Sequence, residues 1–309
     1  MSGLYFGFDQ LPNIDACVLS QGTFDGVHKG HQKVLQSLVN KAKSLDLPSV
    51  LLTFHPHPRS VVKTHTDKIE LINSIEEKAN HILNIGVNFV LVLEFTMEIS
   101  QLSPEQFVTQ ILVDKLNTKF ILVGYDHRFG KNRAGGFKEL LKLSLNHQFQ
   151  VAEIEAKEID EIAISSTQIR KYLKIGDIDK ANDLLGYHYP ITGKVIHGNK
   201  NGRKLGFPTA NISVTEKDKL IPKTGAYFGY TSVNGHSYPS MINIGYRPTV
   251  EGSNLTIESH LIGVNIDLYD QTIQIELTGF LREEIKFGSL DQLKEQLKTD
   301  KQKVLEVLV

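Results

Sequence analysis

Cysteine is almost missing from this chain. Cys17 is the only one among 309 residues, so no disulfide can form within the chain, which suits a reducing cytosol. It lies in the apolar run Ala16-Cys17-Val18-Leu19 and reads as a buried structural thiol, not a nucleophile. No apolar run approaches the ~20 residues that cross a bilayer. No basic segment followed by an apolar core opens the chain, so no signal peptide or membrane partner is expected and the predicted setting is cytoplasmic. An excess of one charge is also absent: 34 Lys and Arg stand against 35 Asp and Glu, a net charge of −1. That balance argues against a general nucleic-acid binder, yet it leaves room for a small anion held by a local cationic site. Two glycine signatures are missing as well. There is no Gly-x-Gly-x-x-Gly fingerprint, and the nearest Walker A candidate, Gly124 to Lys131, has one residue too many and is followed by Asn132 where Ser or Thr is needed.

Length alone predicts two domains, at roughly 150 residues each. The first 160 residues or so alternate between two periods. Short apolar runs read as buried strands at Ala16–Ser20, Ser49–Phe54, Phe89–Phe95, Lys119–Tyr125 and Gln150–Ala156. Helical spacing links Val34, Leu35, Leu38, Ala42 and Leu45, and capping boxes at Ser74–Glu77 and Ser103–Gln106 start further helices. Such alternation implies a parallel sheet covered by helices on both faces, an α/β domain of the Rossmann-like kind. A capping box at Ser165–Gln168 opens a helical stretch to about Leu185. Beyond it Gly186, Pro190, Gly193, Gly198, Gly202, Gly206 and Pro208 crowd together, and alternating runs follow at Tyr227–Val233, Ser240–Ile244, Leu255–Ile262 and Thr272–Phe280. Asn234-Gly235 is a hairpin turn signal. The expectation is a small antiparallel β-barrel closed by C-terminal helices that start at Ser289 and Thr299, with a domain boundary between 186 and 187.

Gly22-Thr-Phe-Asp-Gly-Val-His-Lys-Gly-His31 follows the first of these strands and enters the first helix. Strand ends that lead into helix N-termini are where parallel sheets bind ligands, and the exposed amides and dipole there attract phosphate. His28 and His31 bracket Gly30, where the backbone can approach a nucleotide closely. Imidazoles beside phosphates favour protonation and can donate hydrogen bonds as charge builds on a phosphoryl group. Two more segments end strands on the same side of the sheet: Thr53-Phe-His-Pro-His-Pro-Arg59 and Gly124-Tyr-Asp-His-Arg-Phe-Gly130. Phe54 can offer its face to an aromatic ring. Ser165-Ser166-Thr167 with Arg170 one turn on offers hydroxyls, amides and a cation at a helix start, a pyrophosphate-binding arrangement. His65, His81 and His147 read as solvated loop residues.

Together these segments resemble the bacterial bifunctional riboflavin kinase/FAD synthetase family. The resemblance rests on Gly-x-Phe-Asp-Gly-Val-His-x-Gly-His, Phe-x-Pro-His-Pro, Gly-x-Asp-x-Arg-Phe-Gly and Ile-Ser-Ser-Thr-x-Ile-Arg, all present in that order, and it covers nearly the whole chain. It implies an N-terminal domain, 1–186, that transfers AMP from ATP to FMN, and a C-terminal domain, 187–309, that phosphorylates riboflavin. On this resemblance His28 and His31 would stabilise the α-phosphate, with Gly22, Phe24 and Gly30 in the ATP loop. Ser166, Thr167 and Arg170 would hold pyrophosphate, while Phe54, Pro56, Pro58, Asp126 and Arg128 would line the flavin side. Thr23, His127 and Gly136 depart from the Asn, Phe and Asp usual in the family.

In the second domain Gly193–Gly198 and Gly202-Arg-Lys-Leu-Gly-Phe-Pro-Thr-Ala-Asn211 read as a glycine-rich arch suited to a polyphosphate, through Gly198, Arg203 and Gly206. Thr209 and Asn211 are small oxygen ligands two apart, as a Mg²⁺ carried mainly by ATP phosphates accepts. Strand alternation puts Glu258 on the face opposite Ile257 and Ser259. The resemblance implies that Glu258 is the general base for the ribityl hydroxyl and that Arg282 lies near the flavin. Gly263, Val264 and Asp270 are departures. The implied ligands are therefore riboflavin, FMN, FAD, ATP and Mg²⁺, with no nucleic-acid partner; a weak homo-oligomer stays open. A synthetase with a weakened kinase and a non-catalytic flavin sensor are the competing readings.

Overall fold

A computed structural model describes residues 2–62, 69–125, 127–154, 164–198, 201–249 and 252–308. They divide into two compact units: Met1–Ile69 with Ile75–Ile164, and Glu70–Ser74 with Ser165–Val309. Among the described residues no helix is long and apolar enough to cross a membrane.

The first unit begins with β1 (Gly3–Phe6) and β2 (Cys17–Gln21), then α1 (Lys29–Ser44), β3 (Ser49–His55), α2 (Pro58–Val61), α3 (Ile75–Ile85) and β4 (Phe89–Glu94). It continues through α4 (Met97–Gln101), α5 (Pro104–Phe107), β5 (Thr118–Gly124), α6 (Phe137–His147) and β6 (Gln150–Ile154). The strands form one six-stranded sheet in the order β1-β4-β3-β2-β5-β6. Every pairing in it is parallel. Period-two alternation divides the core between its faces. Cys17, Leu19, Val50, Leu52, Ile121 and Val123 face one layer, and Val18, Leu51, Val90 and Leu122 pack with α1 in the other. The Cys17 thiol is fully buried and donates to the Leu116 carbonyl at 3.4 Å. Burial pushes its pKa up to about 12, which keeps it an inert thiol.

The Ser103 capping box closes in both directions, with Gln106 N on Ser103 Oγ and Gln106 Oε1 on Ser103 N. The helix it starts runs on as a π-helical turn, Val108–Val113. β1 is an addition to the strands expected from the sequence; it is short and only half buried, so it carries no apolar run. Leu45 is the exposed C-cap of α1, not part of its apolar face. Glu155, Ala156 and His65 lie outside the described residues.

The second unit opens with α7 (Ser166–Ile175) and α8 (Ile178–Leu185). Gly176, at φ 82°, divides the single helical stretch expected there. Six strands follow: β7 (Tyr189–Ile196), β8 (Ala210–Ser213), β9 (Gly225–Val233), β10 (His236–Thr249), β11 (Gly252–Leu261) and β12 (Thr272–Arg282). The short α9 (Asn201–Leu205) lies between β7 and β8, and α10 (Leu290–Leu308) ends the chain. The strands close a barrel in the order β10-β11-β8-β7-β12-β9. Its pairings are antiparallel throughout. Asn234 (φ 49°) and Gly235 (φ 81°) make the tight hairpin between β9 and β10, as two positive φ values in a row require.

Two expectations change here. β7 and β8 are strands within the stretch read as a glycine-rich arch. One glycine is there because a Cβ on Gly193 would run into the Ser213 carbonyl of β8, so it serves strand approach, not a loop. The C-terminal helices are one helix: Gln292 N caps on Ser289 Oγ at 3.3 Å, but Thr299 sits mid-helix and donates to the Glu295 carbonyl. Arg282 anchors α10 through a bidentate contact, Nε and Nη2 on Asp300, whose carboxylate is 2% exposed.

Gly193→Ala should therefore destabilise the barrel by about 1–3 kcal/mol, the usual cost of overpacking. Urea unfolding of the full chain measures it; a change below ~0.5 kcal/mol would mean that β8 can move aside.

Candidate active sites

In the first unit the strand order reverses between β2 and β5, so their C-terminal ends border the crevice where open α/β sheets bind ligands. The loop after β2 is strained: Phe24 and Val27 hold φ of 43° and 34°, and both are buried. Non-glycine residues keep such angles only where their surroundings enforce them. His28 follows as the N-cap of α1, its Nδ1 accepting from His31 N at 3.3 Å. That leaves His28 Nε2 as the nitrogen that carries hydrogen. The His28 and His31 rings stack 3.6 Å apart at 17°, with Phe24 4.9 Å from His31. Burial holds the His31 pKa well below its ordinary 6.5, with the charges of His28 and Lys78 adding to the effect. Ligand-free His31 is thus held neutral, and the protonation expected for it beside phosphate needs the phosphate's own charge. Gly30 is buried in the first turn of α1 and Gly22 opens the loop at φ 159°. Lys78, buried on α3, was not singled out by the sequence; nothing local distinguishes it from a surface lysine.

The opposite side of this crevice is aromatic. Phe54 lies 5.4 Å from Phe95 and 6.3 Å from Phe107, and Phe107 is 5.9 Å from Phe129. Pro56 follows Phe54 in the turn, and Pro58 starts α2 behind the N-cap His57. Arg128 is exposed, and its guanidinium occupies the space that a side chain at Gly136 would fill. Asp126 lies outside the described residues. His127 meets Gln21 at the end of β2, Nε2 to Nε2 at 3.0 Å.

The Ser165–Arg170 segment belongs to the second compact unit. Ser165 Oγ caps α7 through Gln168 N at 3.3 Å, Ser166 and Thr167 form its first turn, and Arg170 Nε donates to the Glu70 carbonyl at 2.7 Å.

In the barrel, Glu258 of β11 pairs with Asn211 of β8. Thr209 Oγ1, just before β8, donates to Glu258 Oε2 at 2.8 Å. A Cβ on Gly198 would collide with the Asn211 amide, so glycine lets that side chain turn toward the end of β7. His260 Nδ1 lies 2.7 Å from the Pro208 carbonyl and fixes the segment from the other side. Arg203, Thr209, Leu261, Val264, Asp267 and Tyr269 line a cleft beside this cluster. Arg203 is exposed on α9, and Gly206 ends the turn after it at φ 84°. Asp270 sits at φ 63°, which explains the advantage of glycine at this position. Its exposed pair with Lys194, at 2.8 Å, offsets little of that strain. Arg282 is committed to Asp300.

The parallel α/β unit thus carries stacked histidines at its switch point, and the closed barrel carries a carboxylate beside Thr209 and Asn211. Residues 11–168 match the FAD synthetase family model and residues 185–308 the riboflavin kinase model. The chain is 37% identical over 286 residues to the bifunctional riboflavin kinase/FMN adenylyltransferase of Listeria monocytogenes, covering 92% of this chain and 90% of that one. It is 39% identical to the protein of the same name from Pseudomonas fluorescens, covering 94% and 92%. A solved Streptococcus pneumoniae structure described as a macrolide-efflux protein aligns over 97% of both chains, with a TM-score of 0.86 and 27% identity. The chain belongs to the bifunctional riboflavin kinase/FMN adenylyltransferase family.

His127 gives a pH test. Burial first, then the charges of Arg133 and Arg128, lower its pKa from 6.5 to about 4. The unfolded chain therefore takes up the proton first as pH falls. The stability that comes with the lowered pKa is complete above pH 6.5 and is lost progressively down to pH 4. Wild type should lose about 1–2 kcal/mol between pH 7 and pH 5 through this group, and His127→Phe should remove that part of the slope. Equal slopes in urea unfolding at the two pH values would exclude the ring as their source.

Proposed function

We propose that the two parts carry the family's two reactions separately: the barrel phosphorylates riboflavin with ATP, and the N-terminal part adenylylates FMN to FAD with release of pyrophosphate. The observation that carries this reading is the stacked His28–His31 pair at the N-terminus of α1, on the sheet's switch point. The functional division lies at 186/187, close to the start of the riboflavin kinase match. The setting is the cytoplasm, in keeping with the single buried thiol.

For adenylyl transfer, a phosphate oxygen of FMN attacks the α-phosphorus of ATP and the bond to the β-phosphate oxygen breaks. No covalent enzyme intermediate is required. His28 Nε2–H, together with the free amides of α1, would stabilise charge on the α-phosphate. His31 supports His28 by stacking and by its backbone N–H. Ser166, Thr167 and Arg170 would receive pyrophosphate; Phe54, Pro56, Pro58 and Arg128 would border the flavin.

For phosphorylation, the ribityl hydroxyl attacks the γ-phosphorus of ATP, the bond from that phosphorus to the β–γ bridging oxygen breaks and ADP leaves, and Glu258 would take the hydroxyl proton. The Thr209 hydroxyl orients the carboxylate for that step. Among the described residues no group of three or more His, Cys, Asp or Glu gathers as a metal site. A Mg²⁺ held chiefly by ATP phosphates and water needs few oxygen ligands from the protein, so the Thr209 hydroxyl and the Asn211 carbonyl oxygen fit it. Bound there, the ion would draw charge from the phosphates. Gly198, Arg203 and Gly206 would flank the polyphosphate. Arg282, expected beside the flavin, would shape that side by anchoring α10.

A chromatographic time course with riboflavin, ATP and Mg²⁺ should show FMN rising before FAD. Replacing His28 or His31 by Ala should slow FAD formation ~10²–10³-fold and spare FMN formation. Normal FAD synthesis by the double variant would exclude the pair. Glu258→Gln should slow FMN formation ~10²–10⁴-fold while supplied FMN still becomes FAD. A non-catalytic flavin sensor would make neither product, and a weakened kinase would make FAD from supplied FMN but little FMN from riboflavin.

A further inference from the structure

Gln21 ends β2 at the switch point and takes no part in the steps above. Alternation along β2 puts it on the face of Cys17 and Leu19, which is also the face of Phe54. It is 4% exposed. Its Nε2 lies 3.0 Å from His127 Nε2, so the contact bridges the end of β2 to the loop after β5. The atom of Gln21 in this contact is the amide nitrogen, which can only donate, so His127 Nε2 accepts; the neutral imidazole this needs is favoured by burial and by the neighbouring Arg133 and Arg128. This fixes the amide the other way round: Gln21 Oε1 is buried and has no hydrogen-bond partner among the described residues. A buried carbonyl oxygen without a donor is costly and rare in folded proteins. Here it stands at the mouth of a ligand crevice.

The surroundings narrow what the donor can be. His127 stacks on Phe129, 5.7 Å and 22°. Phe129, Phe107, Phe54 and Phe95 then continue as a row of ring contacts. A flat aromatic molecule whose edge carries an N–H beside a carbonyl matches this row and the amide at its end. The dioxopyrimidine edge of a flavin has that pattern, an imide N–H flanked by carbonyls. Gln21 can accept the N–H on Oε1 and turn its second amide hydrogen to a neighbouring carbonyl. A purine edge can also meet a glutamine amide, but Gln21 lies on the face of Phe54 and not on the face where Phe24 and Val27 pack beside the histidines.

We propose that Gln21, oriented by His127, recognises the flavin in the adenylylation site by accepting its imide N–H on Oε1. The inference rests on the reading of this crevice as the FMN subsite. Gln21 is a binding residue, and His127 is a positioning residue that acts through it.

The test uses the full chain and compares FMN with its N3-methyl analogue, which lacks the donor. Wild type should prefer FMN by roughly ten- to a hundred-fold in kcat/KM, mostly through KM. Gln21→Leu should lose about that factor on FMN and little more on the analogue, so that the preference collapses toward one, with the KM for ATP nearly unmoved. His127→Phe should fall between them, because the amide loses its anchor. Equal use of both flavins by wild type overturns the proposal without any variant, whatever the folding of Gln21→Leu. An undiminished preference in Gln21→Leu overturns it too, and a raised KM for ATP in place of FMN would assign the amide to the adenine. If wild type adenylylates neither flavin, the reading of the subsite itself fails; if it adenylylates FMN with the preference unchanged by the variant, only the role of Gln21 does.

Discussion

The chemistry of the N-terminal part depends on one junction, the place where β2 stops and α1 begins. A parallel sheet must carry its chain from each strand end back across a face, and at the switch point the chain departs to opposite sides. The amides that open α1 have no partners within the helix. His28 satisfies one of them with Nδ1, and the same contact commits its Nε2 to donation. Stacking on His31 then fixes the ring plane. The strained angles at Phe24 and Val27 are held by burial of both side chains. A helix cap, a tautomer and a ring orientation thus follow from the same few residues.

The barrel works by a different constraint, close strand approach. β8 is short and is pressed between β7 and β11. Its pairing with β11 sets Asn211 beside Glu258, and the segment entering it brings the Thr209 hydroxyl onto the carboxylate. Glycine at 193 lets β7 approach the Ser213 carbonyl of β8, and glycine at 198 leaves room for the Asn211 side chain. The departures of this chain from its family are also local geometry. Asp270 holds a left-handed angle that glycine adopts at no cost, and Arg128 fills the space beside Gly136.

The long alternating runs and the capping boxes made the sheet, most of its helices and the later barrel strands legible from sequence, because burial on one face imposes a period that composition cannot hide. Where the structure differs, the local signal was missing or misleading. β1 has too little buried surface to show a pattern. β7 contains Gly193, which close approach to β8 demands, and glycine alone does not say whether it serves a loop or a strand. Thr299 has the spacing of a cap, but α10 is already under way before it.

The sequence by itself determined the residue types: an imidazole pair at a strand–helix junction, an acid on a barrel strand, small oxygens two apart, a single thiol. These follow from local spacing, which one-dimensional order preserves. Only the tertiary structure decided what each group touches. Gln21 and His127 stand 106 positions apart, Thr209 and Glu258 49, and Arg282 meets Asp300 across the fold of α10. Strand order, register and helix docking bring those pairs together, and none of these is written in the residues between them.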